Sequence, residues 1–321
     1  MKKFTNLYKF NGKIYFIYFC IRYFIFMKKA FFSVIIPTYN RASLISRAIE
    51  SVISQTFEEW ELVVIDDGST DDTKSVVEKY KDDRIKYFYQ ENKERSAARN
   101  KGIELSSGDY ICFLDSDDYY KDNHLYDFFD SIKNTDFPEA MFYCNALEDN
   151  NGLIKMIENN IHVESYKFLK NIILFPIALV KVCVSRKIFD KFRFDEKFRI
   201  AEDIDLWFRI LKHYPLYHND NYSVIINNHS ARTVVQEEIN ARKCNLRMAQ
   251  RIIRIHKECF SAKDRKEVIS SSYFALAKAY FKFNKKYKML VSLLYSIIYV
   301  PVDKKNKEKF YMIMISLGLK K

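Results

Sequence analysis

The sequence predicts an α/β protein with a mostly parallel sheet flanked by helices, followed by a helical C-terminal region. Short β-branched apolar runs alternate with segments of helical periodicity from residue 31 to residue 118, the pattern of right-handed β-α-β crossovers. Successive runs end in polar or acidic residues, as strands do at the ligand-binding edge of an open parallel sheet. From about residue 236 the pattern is helical, basic and almost free of turn signals until Pro301.

Residues 31–37 (FFSVIIP) read as a buried strand stopped by proline. Ser43 is placed to cap the next helix, with Leu44, Ile45, Ala48, Ile49, Val52 and Ile53 on one face. Strand 61–67 (ELVVIDD) runs through a Gly-Ser-Thr turn into a helix over 72–80. Strand 85–90 precedes a helix over 96–105, and 109–115 (DYICFLD) is the fourth strand. Beyond residue 120 the alternation weakens to short strand candidates at 140–146 and 178–185. Residues 202–213 (EDIDLWFRILKH) then set Ile204, Trp207, Phe208 and Leu211 on a helical stripe. The chain thus divides into a basic aromatic extension (1–30), a central α/β domain (31–235) and a basic helical region (236–321).

Composition narrows the function. Only six glycines occur among 321 residues and they stand apart, so neither G-x-G-x-x-G nor a P-loop can be written. The net charge of +12 separates into +7 over residues 1–30, −8 over 31–235 and +13 over 236–321. The basic excess therefore lies in terminal segments that carry no recognisable nucleic-acid-binding module, and nucleic acid is not the expected partner. The six cysteines lack C-x-x-C spacing and read as free thiols of a reducing compartment.

Three strand ends carry the chemistry. Asp115, Asp117 and Asp118 crowd three carboxylates after an apolar strand, where they repel one another unless a cation sits among them. Oxygen donors of this kind suit Mg²⁺ or Mn²⁺; a solvated acidic loop is the plain alternative. Asp66 and Asp67 close the second strand, as ligands or as turn formers before Gly68. Tyr39 follows the first strand, where its ring can stack on a base or simply lie on the surface. Taken together at successive strand ends, they describe a nucleotide pocket.

The segments SVIIPTYNR (33–41), AIESVISQTFEEWELVVIDDGSTDDT (48–73), SAARNKGIELSSGDYICFLDSDD (96–118) and FDEKF with AEDIDLWFRI (194–198 and 201–210) resemble the inverting, nucleotide-sugar-dependent glycosyltransferases of family 2, of GT-A fold. The resemblance spans residues 31 to about 235. It implies that Pro37 and Tyr39 line the base pocket, that Asp67 bonds the base edge and that Arg95 faces the nucleotide. It further implies that Asp115 lies near the ribose and Asp117 on a divalent Mn²⁺ or Mg²⁺, with Asp118 a buttress and Arg99 and Asn100 holding the loop. Glu202 and Asp203 start the Trp207 helix, where an acid serves as a cap on its own account. In the family an acidic pair at this point carries the general base, which assigns Asp203 as base and Glu202 as its orienting partner or an acceptor contact. His229 matches a late histidine on the metal or diphosphate, and a solvated loop histidine fits it equally.

The expected reaction moves a hexosyl or N-acetylhexosaminyl group from a nucleotide-diphosphate donor, a UDP-sugar first, to a surface glycan or lipid-linked saccharide. The alternative is a non-catalytic sugar-nucleotide-binding or scaffold protein of the same fold. Residues 13–29 contain an apolar stretch interrupted by Arg22 and too short to span a bilayer, and Met27-Lys28-Lys29 is expected to mark the true start. Residues 289–302 are uncharged between flanking lysines, and read either as a helix buried on the central domain or as an interfacial segment on anionic lipid. The expected location is cytoplasmic, peripheral on the inner face of the cell membrane.

Overall fold

The computed structural model describes residues 30–157, 168–229, 237–301 and 305–316. The expectations for residues 13–29 and for a start at Met27 lie outside the described residues.

The first half alternates as the sequence implies: β1 (Phe32–Thr38), α1 (Ile45–Ile53), β2 (Trp60–Asp66), α2 (Thr73–Val77), β3 (Ile85–Tyr89), α3 (Glu94–Leu105) and β4 (Tyr110–Phe113). These four strands are parallel in the order β3-β2-β1-β4. Helices cover both faces of the sheet, which is why β1, β2 and β4 are largely apolar runs, while the edge strand β3 is only partly buried. Val34, Ile36, Leu62 and Val64 join Ile45, Ile49 and Val52 of α1 in one core. Ile35, Val63 and Ile65 join Ala98 and Ile103 of α3 in the other.

Gly108 brings β4 close to β1. A Cβ there would stand 2.6 Å from the Ser33 nitrogen and 2.7 Å from the Phe32 carbonyl carbon. The Gly108 N–H donates to Ser33 Oγ at 2.8 Å, and that hydroxyl donates in turn to buried Glu61 at 2.6 Å.

Past β4 the topology changes. β5 (Tyr119–Tyr120), α4 (His124–Asn134), β6 (Met141–Asn150), β7 (Leu153–Ile157), α5 (Phe168–Leu174), β8 (Val182–Ser185), α6 (Glu202–Leu211) and β9 (Leu216–Asn227) follow. β8 runs antiparallel to both β4 and β6, β9 lies parallel to β6, and β5 returns antiparallel to β9. The sheet has nine strands in the order β3-β2-β1-β4-β8-β6-β9-β5, with β7 on β6. It is parallel through its first half and mixed beyond.

Two local expectations are corrected. Ser43 does not cap α1: the Arg41 carbonyl accepts from both the Leu44 and Ile45 N–H groups, so a backbone turn takes the place of a side-chain cap. The helix expected over 72–80 closes after Val77.

The C-terminal region forms α7 (Glu238–Ile255), α8 (Ala262–Lys282), α9 (Lys286–Tyr299) and α10 (Asn306–Ser316). Ser261 and Asp264 open α8 with a reciprocal capping box. Met248 and Ile252 of α7 pack with Ile204 and Phe208 of α6, joining the tail to the central domain. Phe274, Tyr280, Met289, Leu293 and Met312 form a second tail core. The helix expected to be buried on the central domain packs instead among the tail helices: Met289, Ser292, Leu293 and Ser296 of α9 are buried there, while Tyr287, Leu294, Tyr295 and Ile298 are exposed. Among the described residues no helix is long and apolar enough to cross a membrane.

Candidate functional site

A pocket of about 330 Å³ lies at the carboxyl ends of the parallel strands, where an open α/β sheet places its ligands. The loops that form its walls are laced to one another. The Asn40 N–H donates to Ser69 Oγ at 2.8 Å, and Asn40 Oδ1 accepts from the Thr70 N–H at 2.8 Å. Asn40 itself adopts a left-handed conformation, φ 50°, which turns the chain after Tyr39.

Of the sequence-derived residues, Pro37, Tyr39, Asp67, Arg95, Asp115 and Asp117 line this pocket. Tyr39 is 47% exposed, so its ring is available for stacking. Asp67 is buried and accepts from Gln90 Nε2 at 2.7 Å and the Lys93 N–H at 2.9 Å. Both bonds fall on Oδ1, which leaves Oδ2 for a ligand. Asp66 has a different part: it accepts from the Ser69 N–H and from the Tyr87 hydroxyl, and closes the turn.

The β4 end holds its acids in order. Asp115 Oδ1 accepts from Arg99 Nη2 at 3.0 Å, Asp117 Oδ2 lies 3.0 Å from His229 Nε2, and Asp118 Oδ1 accepts from the Asn227 N–H at 2.9 Å. Asp118 is buried on β9, as expected of a buttress. The three carboxylates offer ligand oxygens all within 4.8 Å of one another, a donor set that fits a hard divalent cation. His229 reaches Asp117 and is absent from the pocket wall.

Arg99 ties this loop to α6. Its buried guanidinium bonds Asp115 through Nη2 and Glu202 through Nη1 at 2.6 Å, with both its own side chain and that of Glu202 nearly inaccessible. Asn100 donates to the Phe194 carbonyl and to Glu196, fixing the segment that leads to α6. Ala201, just ahead of the Glu202–Asp203 pair, sits in the left-handed region at φ 69°, a strained conformation for alanine. Asp203 Oδ1 accepts from the Ile204 N–H at 2.8 Å. Burial first, and then the neighbouring charge of Glu202, push the Asp203 carboxyl up to about 7, against the pull of Arg99. A carboxylate with that affinity for a proton is suited to take one from a hydroxyl near neutral pH. Glu202 and Asp203 lie outside the pocket lining, and Arg99 is the link between them and it.

The sequence reading missed Arg41 and Arg199, which also line the pocket. With Arg95 and Arg99 they bring four guanidinium groups to the wall, facing the carboxylates of Asp67, Glu94, Asp115 and Asp117; Arg99 is taken up by Asp115 and Glu202, and Arg199 pairs with Glu94 at 3.4 Å. The net charge of −8 averages over the whole segment and hides this local cluster. Arg41 closes the SVIIPTYNR segment and Arg199 lies just ahead of the AED segment, which was the available signal.

The family model for glycosyl transferase family 2 matches residues 33–191. The chain is 35% identical over 190 residues to the UDP-Glc:alpha-D-GlcNAc-diphosphoundecaprenol beta-1,3-glucosyltransferase WfgD of Escherichia coli, covering 56% of this chain and 69% of that one. It is 27% identical over 277 residues to the GalNAc(5)-diNAcBac-PP-undecaprenol beta-1,3-glucosyltransferase of Campylobacter jejuni, covering 84% and 89%. It spans under a third of the length of three Rickettsia relatives that it also matches. Among solved structures, S. aureus TarS 1-349 in complex with UDP-GlcNAc superposes with a TM-score of 0.59 at 21% identity over 84% of this chain and 81% of that one, a likeness of fold.

Proposed function

The chain belongs to glycosyl transferase family 2, and from that premise we propose that it transfers one sugar from a nucleotide-diphosphate donor, a UDP-sugar first, to a hydroxyl of a lipid-linked saccharide or surface glycan. The observation that carries this reading is the Arg99 fork, which joins the donor side of the pocket at Asp115 to the base helix at Glu202.

In the reaction, Tyr39 and Asp67 hold the base, and Arg41, Arg95 and Arg199 of the pocket wall face the diphosphate. Asp203 takes the proton of the acceptor hydroxyl as that oxygen attacks the anomeric carbon from the face opposite the leaving group. One base and one displacement give inversion. Glu202, bonded to Arg99, raises the proton affinity of Asp203 and orients it. Asp115, Asp117 and Asp118 would hold Mn²⁺ or Mg²⁺, with His229 on Asp117. That ion, when bound, supplies charge that stabilises the departing nucleoside diphosphate.

The acceptors named for the Escherichia coli and Campylobacter jejuni relatives are diphosphate-linked lipids, which supports an acceptor held at the inner face of the membrane. The exposed apolar residues of α9, flanked by Lys285, Lys286 and Lys288, supply a surface for peripheral contact with anionic lipid.

The test is a screen of UDP- and GDP-sugars for hydrolysis and transfer by the purified chain, with Mn²⁺ and with EDTA. The expected result is metal-stimulated release of the nucleoside diphosphate, lost in Asp117→Ala. Donor binding without turnover under every condition would instead identify a sugar-nucleotide-binding scaffold.

A further inference from the structure

A second cavity, of about 430 Å³, lies between the end of α5 and the C-terminal helices α7, α8 and α10. It shares no lining residue with the pocket at the strand ends. Its volume falls in the range of small-ligand sites. Arg242 of α7, Lys278 and Lys282 of α8, and Lys305 ahead of α10 line it, opposed by Glu238 and Glu308 alone, a net charge of +2.

The cations converge on one ring. Lys278, Lys305 and Lys309 place their ammonium groups 5.5, 5.9 and 5.6 Å from the centroid of Phe274, whose side chain is buried. Lys309 is itself only 1% exposed. Glu308 pairs with Lys278 at 3.0 Å and Glu238 with Lys282 at 2.7 Å, so these two lysines and two carboxylates balance and the formal excess of positive charge on the wall comes from Arg242 and Lys305. Like charges gathered in a partly desolvated space repel one another, and an anion among them removes that penalty. Ser271 adds a hydroxyl to the wall, a donor that a phosphate oxygen accepts from, while the Ser272 hydroxyl already donates to the Val268 carbonyl at 2.8 Å.

We propose that this cavity binds a phosphate ester, either the diphosphate of the lipid-linked acceptor or the phosphate of an anionic lipid headgroup. The assignment rests on the membrane-held acceptor proposed above. In this arrangement the tail grips the charged end of a lipid whose saccharide is presented to Asp203, and the exposed apolar face of α9 lies on the same helical unit.

Inorganic diphosphate is titrated calorimetrically into the full chain in EDTA, which removes any contribution from a metal at Asp115 and Asp117. The wild type and Asp117→Ala are expected to bind alike, and Arg242→Gln/Lys278→Gln roughly tenfold more weakly. Lys305→Glu serves as an independent second variant, and circular dichroism shows that each variant is folded. Phosphatidylcholine vesicles carrying a polyprenyl diphosphate, or the same charge as phosphatidylglycerol, are then co-sedimented with each protein. A variant defect confined to the diphosphate vesicles identifies the acceptor as the source, and an equal defect in both identifies the headgroup. Diphosphate binding that is absent in the wild type, or unchanged in folded Arg242→Gln/Lys278→Gln and Lys305→Glu, overturns the proposal. Donor hydrolysis is measured in parallel on the wild type: its absence counts against the proposed function, whereas the cavity is judged on binding alone.

Discussion

At the scale of single residues, Asp203 links activity, pH and stability. Folded, its carboxyl holds a proton up to about pH 7; unfolded, it ionises near its ordinary value of 3.8. The folded state therefore binds that proton more tightly, and the associated stability is present at acid pH and lost as pH rises from about 4 to about 7. Asp203→Asn is expected to lower transfer about 10²–10⁴-fold. The same variant should unfold at a higher temperature than wild type above neutrality, with the advantage gone below about pH 4. Thermal scans across pH beside the transfer assay check both parts. In the wild type, transfer should rise with pH and level off above about 7, as Asp203 becomes a base.

Arg99 gives a second prediction. Arg99→Met leaves Glu202 buried without its cation, which should cost about 3–5 kcal/mol in urea unfolding. Arg99→Lys keeps the charge but cannot fork to both carboxylates, whereas Arg99→Met removes it, so the pH–rate profile of Arg99→Met should move to higher pH as Asp203 loses an opposing positive charge. Asp115 and Asp117 were legible in the sequence because they lie in a compact acidic run at a strand end, whereas Asp203, which by itself reads as a helix cap, was assigned through the family resemblance. Arg41 and Arg199 carried no such spacing. They become neighbours only when the loops after β1 and ahead of α6 fold against the same pocket.

At the scale of elements, the β1–β4 contact depends on the missing side chain of Gly108. Gly108→Ala puts a methyl group against Ser33 and Phe32 backbone, which cannot swing aside as a side-chain tip would. The expected loss is about 1–3 kcal/mol, read from the urea midpoint, with weaker donor affinity because β4 delivers Asp115 and Asp117. β1, β2 and β4 were readable because burial on both faces makes them largely apolar runs, and the partly buried edge strand β3 because it is rich in β-branched and aromatic residues. β9 was not: polar residues from His218 to Tyr222 break its pattern, and its pairing with β6 shifts register around Asn145. β5 is two residues long and offers no period at all.

At the scale of the whole molecule, the charge of +12 is a −8 domain between two basic segments, and the tail carries its lysines beside an exposed apolar face. Anionic vesicles should therefore sediment the protein at low salt and release much of it at high salt, while Leu294→Glu/Ile298→Glu should reduce binding at both. Retention of the wild type in the supernatant with anionic vesicles at low salt would remove the membrane reading. The Arg99 fork also bears on how such a molecule can be recombined. Its three members are scattered along the chain, at residues 99, 115 and 202, so a chimera that exchanges the stretch between β4 and α6 cuts between them. A graft whose downstream junction falls before Glu202 retains the host's buried ion pairs, whereas one that imports a different residue at 202 strands a guanidinium in the core. A cassette spanning residues 119–201 is thus exchanged without breaking the buried ion pairs when the ionic clasp is left to the recipient.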